Sequence, residues 1–262
     1  MHTYRRLLGI FYRNALMNEL EYRLNFWSLL VLQLFWLIWS AVGARIPFLY
    51  ADRLAGWSYP ELLVVLGMFH FMKGFQSLVL EPNLAQLSEY VRLGTLDYLL
   101  TKPIDSQFLV SLRHLGLSSW AEPFLSLGLI GYGLWRLGQV PSVLDLIAFG
   151  LITLAAMVVL YSLCLALQSL TFWFVNLEGA DVLVDTVIEA GRFPIAFFHG
   201  WLRYLLTAIV PVALVTTFPA LVVLGRAPSG LVPVAVISAG GAFVAASAFW
   251  RFALRAYTSA SS

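Results

Sequence analysis

Residues 146–175, LIAFGLITLAAMVVLYSLCLALQSLTFWFV, contain neither a charged side chain nor a proline. A helix needs about 20 consecutive apolar residues to cross a bilayer, where lipid offers no partner to backbone N–H and C=O groups and the helix must satisfy them internally. The stretch exceeds that length, so it reads as a membrane-spanning helix, placed at 144–175. Outward from it, uncharged runs recur at 26–44, at 204–225 and at 231–250, the last helix being taken to 252. Two more, within 62–80 and 112–135, are interrupted by His70 and Lys73 and by Glu122-Pro123, yet stay apolar enough to insert within a bundle. With a fifth crossing somewhere within 178–225, the expectation is an all-α polytopic membrane protein with six transmembrane helices, a single domain over residues 1–262.

The composition agrees. Of 262 residues, 60% are hydrophobic and only 11% charged, and the mean hydropathy is +0.83; these values exclude an ordinary soluble domain. A formal net charge of +2 gives no electrostatic support for a nucleic-acid partner. The single cysteine, Cys164, rules out an internal disulfide and reads as a buried structural thiol inside an apolar run. Residues 1–24 lack the short apolar core and cleavage site of a signal peptide. Instead Tyr4, Leu7, Leu8, Phe11 and Tyr12 recur at helical spacing opposite Arg5, Arg6 and Arg13, which predicts an interfacial helix lying on the lipid bilayer.

Charge is concentrated between the second and third spans, in residues 88–103, SEYVRLGTLDYLLTKP. Each ionised group would cost about 2.5–3.5 kcal/mol at the bilayer centre, so this module belongs outside the hydrocarbon and reads as a docking surface for a soluble partner. Leu96, Leu99 and Leu100 offer an apolar face, Glu89, Arg92, Asp97 and Lys102 offer charge, and Gly94 can break the helix. With an inward amino terminus, Arg5, Arg6, Arg13, Arg23, Arg92, Lys102, Arg113, Arg192, Arg203, Arg251 and Arg255 fall inside and Arg45, Arg53, Arg136 and Arg226 outside, eleven against four. The positive-inside rule then puts both termini and the module in the cytoplasm.

Polar residues within the apolar runs form a second group. His70 and Lys73 lie three apart, hence on one helix face, where snorkelling, an interhelical hydrogen bond or a proton relay is open to them. Glu122 before Pro123 reads either as lining a pathway or as sealing a kink. Glu178, Asp181, Asp185 and Glu189 share one face of a helix, either a solvated acidic surface or a cation-attracting stripe along a transport route. Without histidine or cysteine beside it, the stripe is a poor metal site. Prolines 194, 211 and 219 argue against an unbroken rod beyond Phe193 and permit a re-entrant pair of half-helices. Small residues at 239–242 and 245–248 suit close helix approach, within the monomer or between two membrane chains.

Residues 92–103, RLGTLDYLLTKP, with Arg192-Phe193-Pro194, Trp201-Leu202-Arg203, Pro211 and the closing LRAYTSASS of residues 254–262, carry a resemblance. The chain resembles the membrane-spanning permease subunits of type-2 ABC exporters, in their six-span branch of about 260 residues. The resemblance implies that residues 86–103 are the coupling helix seated in a groove of a cytoplasmic ABC ATPase, with Glu89 to Lys102 in that role. It implies a second permease as partner, a bacterial inner-membrane location, and no cofactor on this chain, since ATP and Mg sit on the ATPase. It also implies an extracellular re-entrant hairpin before the last span, with residues 182–198 as the fifth crossing; Arg192 and Arg203 then move outward and the charge bias becomes nine against six.

No H-E-x-x-H, G-x-S-x-G or Walker A pattern occurs, and His2, His70, His114 and His199 have no metal-ligand spacing. The chain therefore reads as non-catalytic by itself, a permease driven by a partner's ATP hydrolysis that exports a drug-like, lipid-like or other amphiphilic molecule. Two other classes stay open: an ion-coupled secondary transporter using His70, Glu122 and the acidic stripe, and a non-transporting membrane scaffold.

Overall fold

A computed structural model describes residues 2–21, 23–174, 180–209 and 211–257. Its regular elements are helices joined by short loops, and no strand is formed among the described residues. Helices α1 (His2–Glu21) and α2 (Arg23–Arg45) are followed by α3 (Tyr59–Phe75), which continues through a π-helical turn (Gln76–Leu80) into the short α4 (Glu81–Leu84) and α5 (Leu87–Arg92). Then come α6 (Asp97–Leu100), α7 (Ser106–Leu112), α8 (Ala121–Leu137), α9 (Val143–Ser169), α10 (Ala180–Ala190), α11 (Gly200–Tyr204), α12 (Val212–Val215), α13 (Thr217–Val223) and α14 (Leu231–Ala253). Among the described residues four stretches are long and apolar enough to cross a membrane, Trp27–Leu49, Tyr59–Arg92, Val143–Phe172 and Leu231–Ala256. A fifth exists if Gly200–Thr207 and Val212–Val223, bent by 58°, count as one span.

The centre of the bundle is α3. Ser58 caps its amino end, donating from its backbone N–H to Glu61 Oε2 at 2.7 Å, and Arg226 closes on Glu61 Oε1 at 2.9 Å while lying over the Trp57 ring at 5.0 Å. From Leu62 to Phe69 every residue of α3 is buried, whereas α2 leaves Trp27, Val31, Phe35, Trp36 and Trp39 mostly exposed. Such apolar exposure is what lipid or a second membrane chain covers.

Helix α8 runs antiparallel against α3 in a seam that three glycines make possible. A Cβ on Gly74 would lie 2.6 Å from Pro123 Cδ, one on Gly67 2.6 Å from Ile130 Cγ1, and one on Gly133 2.9 Å from the Pro60 carbonyl. Backbones in lipid gain from such close approach because van der Waals contact replaces the missing hydrophobic drive. The small residues anticipated as a contact in the last span divide: Gly240 and Gly241 have open space around them, whereas Ala239 and Ala246 are buried, with Ala235, where α14 lies alongside α9.

Pro82 explains the π turn. It has no N–H to give the Leu78 carbonyl one turn earlier, and that carbonyl accepts instead from Gly116 N at 2.9 Å. Only glycine fits there, since a Cβ would sit 2.6 Å from the Ser77 carbonyl. Asn83 completes the clamp, donating to the Val79 and His114 carbonyls and accepting from His114 N, each at 2.7 Å.

Several expected boundaries shift. Of the run 112–135 the long helix takes up only the part from Ala121 on, in α8, since α7 ends at Leu112; Glu122-Pro123 lies in the first turn of α8, where the orphan N–H groups tolerate proline, so no kink is sealed there. The stretch 182–198 is helical only to Ala190. Gly191 then turns the chain against Thr216, 2.9 Å from where its Cβ would be, and Ile195 N donates to Thr217 Oγ1 at 3.1 Å. Cys164 is buried, as its run implied. Glu178 lies outside the described residues.

Candidate functional site

Residues scattered over the sequence meet in a cavity of about 400 Å³ between α2, α3, α8 and the end of α10. Trp36, Trp39 and Ser40 come from α2, Phe69, His70 and Lys73 from α3, and Glu122 from α8; Glu189 and Arg192 close the far side. His70 is held at both ring nitrogens. Its Nδ1 lies 3.2 Å from Glu122 Oε1 and its Nε2 2.8 Å from Ser40 Oγ, with only 8% of the His70 side chain and 17% of the Glu122 side chain exposed. Glu122 sits in the first turn of α8, near the positive end of the helix dipole.

One turn along α3, Lys73 Nζ pairs with Asp185 Oδ1 at 2.7 Å, and Gln76, in the π turn, donates to the same oxygen at 2.9 Å. Glu189 pairs with Arg192 at 2.9 Å, and the Arg192 guanidinium rests over the Phe69 ring at 5.3 Å. The described members of the acidic stripe each hold a cation while their side chains stay about half exposed. Nothing is described of the Asp181 side chain. His70, Lys73, Glu122, Asp185 and Glu189 are thus brought together, and His70 and Lys73 bond across helices instead of snorkelling. The sequence marked Arg192 only in the charge balance and in Arg192-Phe193-Pro194, because it stands in a broken segment with no periodicity, and it did not mark Ser40, a small hydroxyl inside an apolar run.

The charged module lies beyond the carboxyl end of α3, past the π turn and α4. It is two helices, α5 and α6, separated by Gly94 at φ +68°, in the left-handed region that glycine tolerates. The break resets the helical phase. Leu96 and Leu99 turn inward and are buried with Leu84, Leu87 and Val110, so the apolar face expected of them is not on the surface. What faces outward is Leu93, Tyr98 and Leu100, beside Glu89, Arg92 and Lys102. Asp97 neighbours Tyr257 from the chain's far end. Burial first, then this carboxylate, holds the Tyr257 phenol above its ordinary pKa. Tyr257 also meets Phe172 edge-on, 5.8 Å between centroids.

A family model, described as ABC-2 family transporter protein, matches residues 29–261. The chain belongs to the ABC-2 transporter family. It is a transporter component of about 260 residues, a multi-pass permease in which the ion-pair chamber lies beside α3 and the outward module follows the carboxyl end of that helix. No curated protein and no solved structure matches it. Among the described residues no cluster of three or more His, Cys, Asp or Glu is placed to hold a metal ion.

Proposed function

We propose that this ABC-2 permease is the membrane subunit of an ATP-driven exporter, docking a cytoplasmic ATPase on its module and completing the pathway with a second permease. The observation that carries this reading is the division of labour in residues 86–103. Leu96 and Leu99 are fixed in the core while Leu93, Tyr98 and Leu100 stand exposed with Arg92 and Lys102, the composition of an anchor rimmed by charge. A surface tied to the core in this way moves α3 when it is moved, which is what conversion of an ATPase's closing into a helix tilt requires. ATP and Mg belong to the partner. The arginine bias supports cytoplasmic termini, and an amphiphilic substrate fits a chamber walled by indole rings and ion pairs.

The test is affinity purification in mild detergent, wild type against Tyr98→Glu/Leu100→Glu, with co-purifying proteins identified by mass spectrometry. An ATPase recovered with the wild type and lost with a monodisperse variant supports the reading. Absence of any ATPase after crosslinking overturns it. A second reading, ion-coupled transport without an ATPase, draws on the His70–Glu122 and Lys73–Asp185 pairs, and the same absence would favour it.

A further inference from the structure

The chamber holds one carboxylate more than its permanent cations can answer. Among the described residues around it, Lys73 is paired with Asp185 and Arg192 with Glu189, leaving Glu122 opposite a histidine. Two positive and three negative groups sum to −1 when His70 is neutral and to zero when it is protonated. The hydrogen bonds give that proton a place. When the Ser40 hydroxyl donates to the Leu37 carbonyl at 2.8 Å, it accepts from His70, and Nε2 carries hydrogen. The 3.2 Å contact between Nδ1 and Glu122 then needs a hydrogen of its own, on Nδ1 or on the carboxyl. With Ser40 so engaged, the His70–Glu122 pair holds a removable proton in a largely buried place.

We propose that the chamber is a binding site for a monovalent organic cation with an apolar body, which enters in exchange for the proton of the His70–Glu122 pair. This deepens the transport reading and rests on it. The cation replaces the proton as counter-charge: the protonated pair releases H⁺ to water, Glu122 remains ionised beside a neutral His70, and the site's charge is unchanged. Trp36 and Trp39 supply π faces for the apolar groups and the charge, and about 400 Å³ lies within the range of small-molecule pockets. An anion finds no such vacancy, because Lys73 and Arg192 already have partners and the unmatched group is negative. The groups facing His70 are Glu122 from α8 and Ser40 from α2, with Lys73 on its own helix and Asp185, Glu189 and Arg192 across the chamber.

The experiment is equilibrium dialysis of radiolabelled tetraphenylphosphonium against the full-length protein in nanodiscs, with tetraphenylborate as an anion of nearly the same shape. We expect the phosphonium to bind at least tenfold more tightly than the borate, to weaken as pH falls from 8 toward 5.5, and to lose about tenfold in affinity and its pH dependence in Glu122→Gln. Should that variant fail to fold, Trp39→Ala, on a helix face that is mostly exposed, is expected to weaken the phosphonium alone. Equal binding of the two ions, no phosphonium binding, or affinity unaltered in the folded variants overturns the proposal. ATPase capture by the same wild-type preparation is scored separately, so a permease that captures an ATPase yet ignores the phosphonium refutes the site and spares the transport reading.

Discussion

Helix α3 has two long faces that are opposites. Toward the length of α8 it is dry and glycine-lined, with Gly67 and Gly74 letting Ile130 and Pro123 approach to contact distance, while His70 reaches Glu122 in the first turn of that helix. Toward α2 and α10 it carries His70 and Lys73, with Gln76 of the π turn beyond them, each bonded to a side chain on another element. A close-packed seam tolerates little change, because packed interiors resist even one added methylene. A face held by ion pairs around a cavity can lose and re-form its contacts. The contrast teaches that α3 and α8 behave as one body, and that rearrangement belongs to the side facing α2 and α10.

Breaking the dry seam has the largest expected effect. Gly67→Leu/Gly74→Leu forces α8 away, and at about 1–3 kcal/mol for each overpacked site the variant is expected to lose several degrees or more of thermal stability, or to aggregate on size exclusion. Next comes the cap at the amino end of α3. Glu61→Gln loses its charge toward Ser58 and Arg226 together, an expected cost of about 1–2 kcal/mol read as a lowered melting temperature in detergent. On the polar face the expected effect is smaller. A double-mutant cycle of Lys73→Met and Asp185→Asn should return a coupling of about 1 kcal/mol or less, since these side chains are 24% and 49% exposed; several kcal/mol would mean that this face is as rigid as the other. The smallest is Gly240→Ala/Gly241→Ala, where open space predicts a change within about 0.5 kcal/mol. A drop in assembled mass at unchanged monomer stability would show that these glycines pack against a second copy.

Much of this was legible in the chain because the bilayer enforces it. Uncharged runs of 20 residues have few other uses, so the helical class and the apolar cores of α2, α9 and α14 followed from composition. The partner of Lys73 was not legible, since Asp185 lies 112 residues away and only the packing of α10 on α3 joins them. The inward turn of Leu96 and Leu99 escaped because helical phase was carried across Gly94, where a left-handed residue resets it. Glu122-Pro123 resembled a mid-span kink because proline is equally at home in a first turn, and nothing nearby marked Ala121 as the start of α8. The glycines at 67, 74 and 133 form no contiguous motif, and their meaning comes only from what they touch.

The clamp built from Pro82, Asn83 and Gly116 has a mechanical consequence. The link from α7 to α8 takes its hydrogen bonds from α3, through the Leu78 carbonyl and both polar atoms of the Asn83 amide. A torque applied beyond Leu84 is therefore delivered to α3 and to the root of α8 at the same pivot, and both helices swing through one angle, like two blades riveted to a single crank.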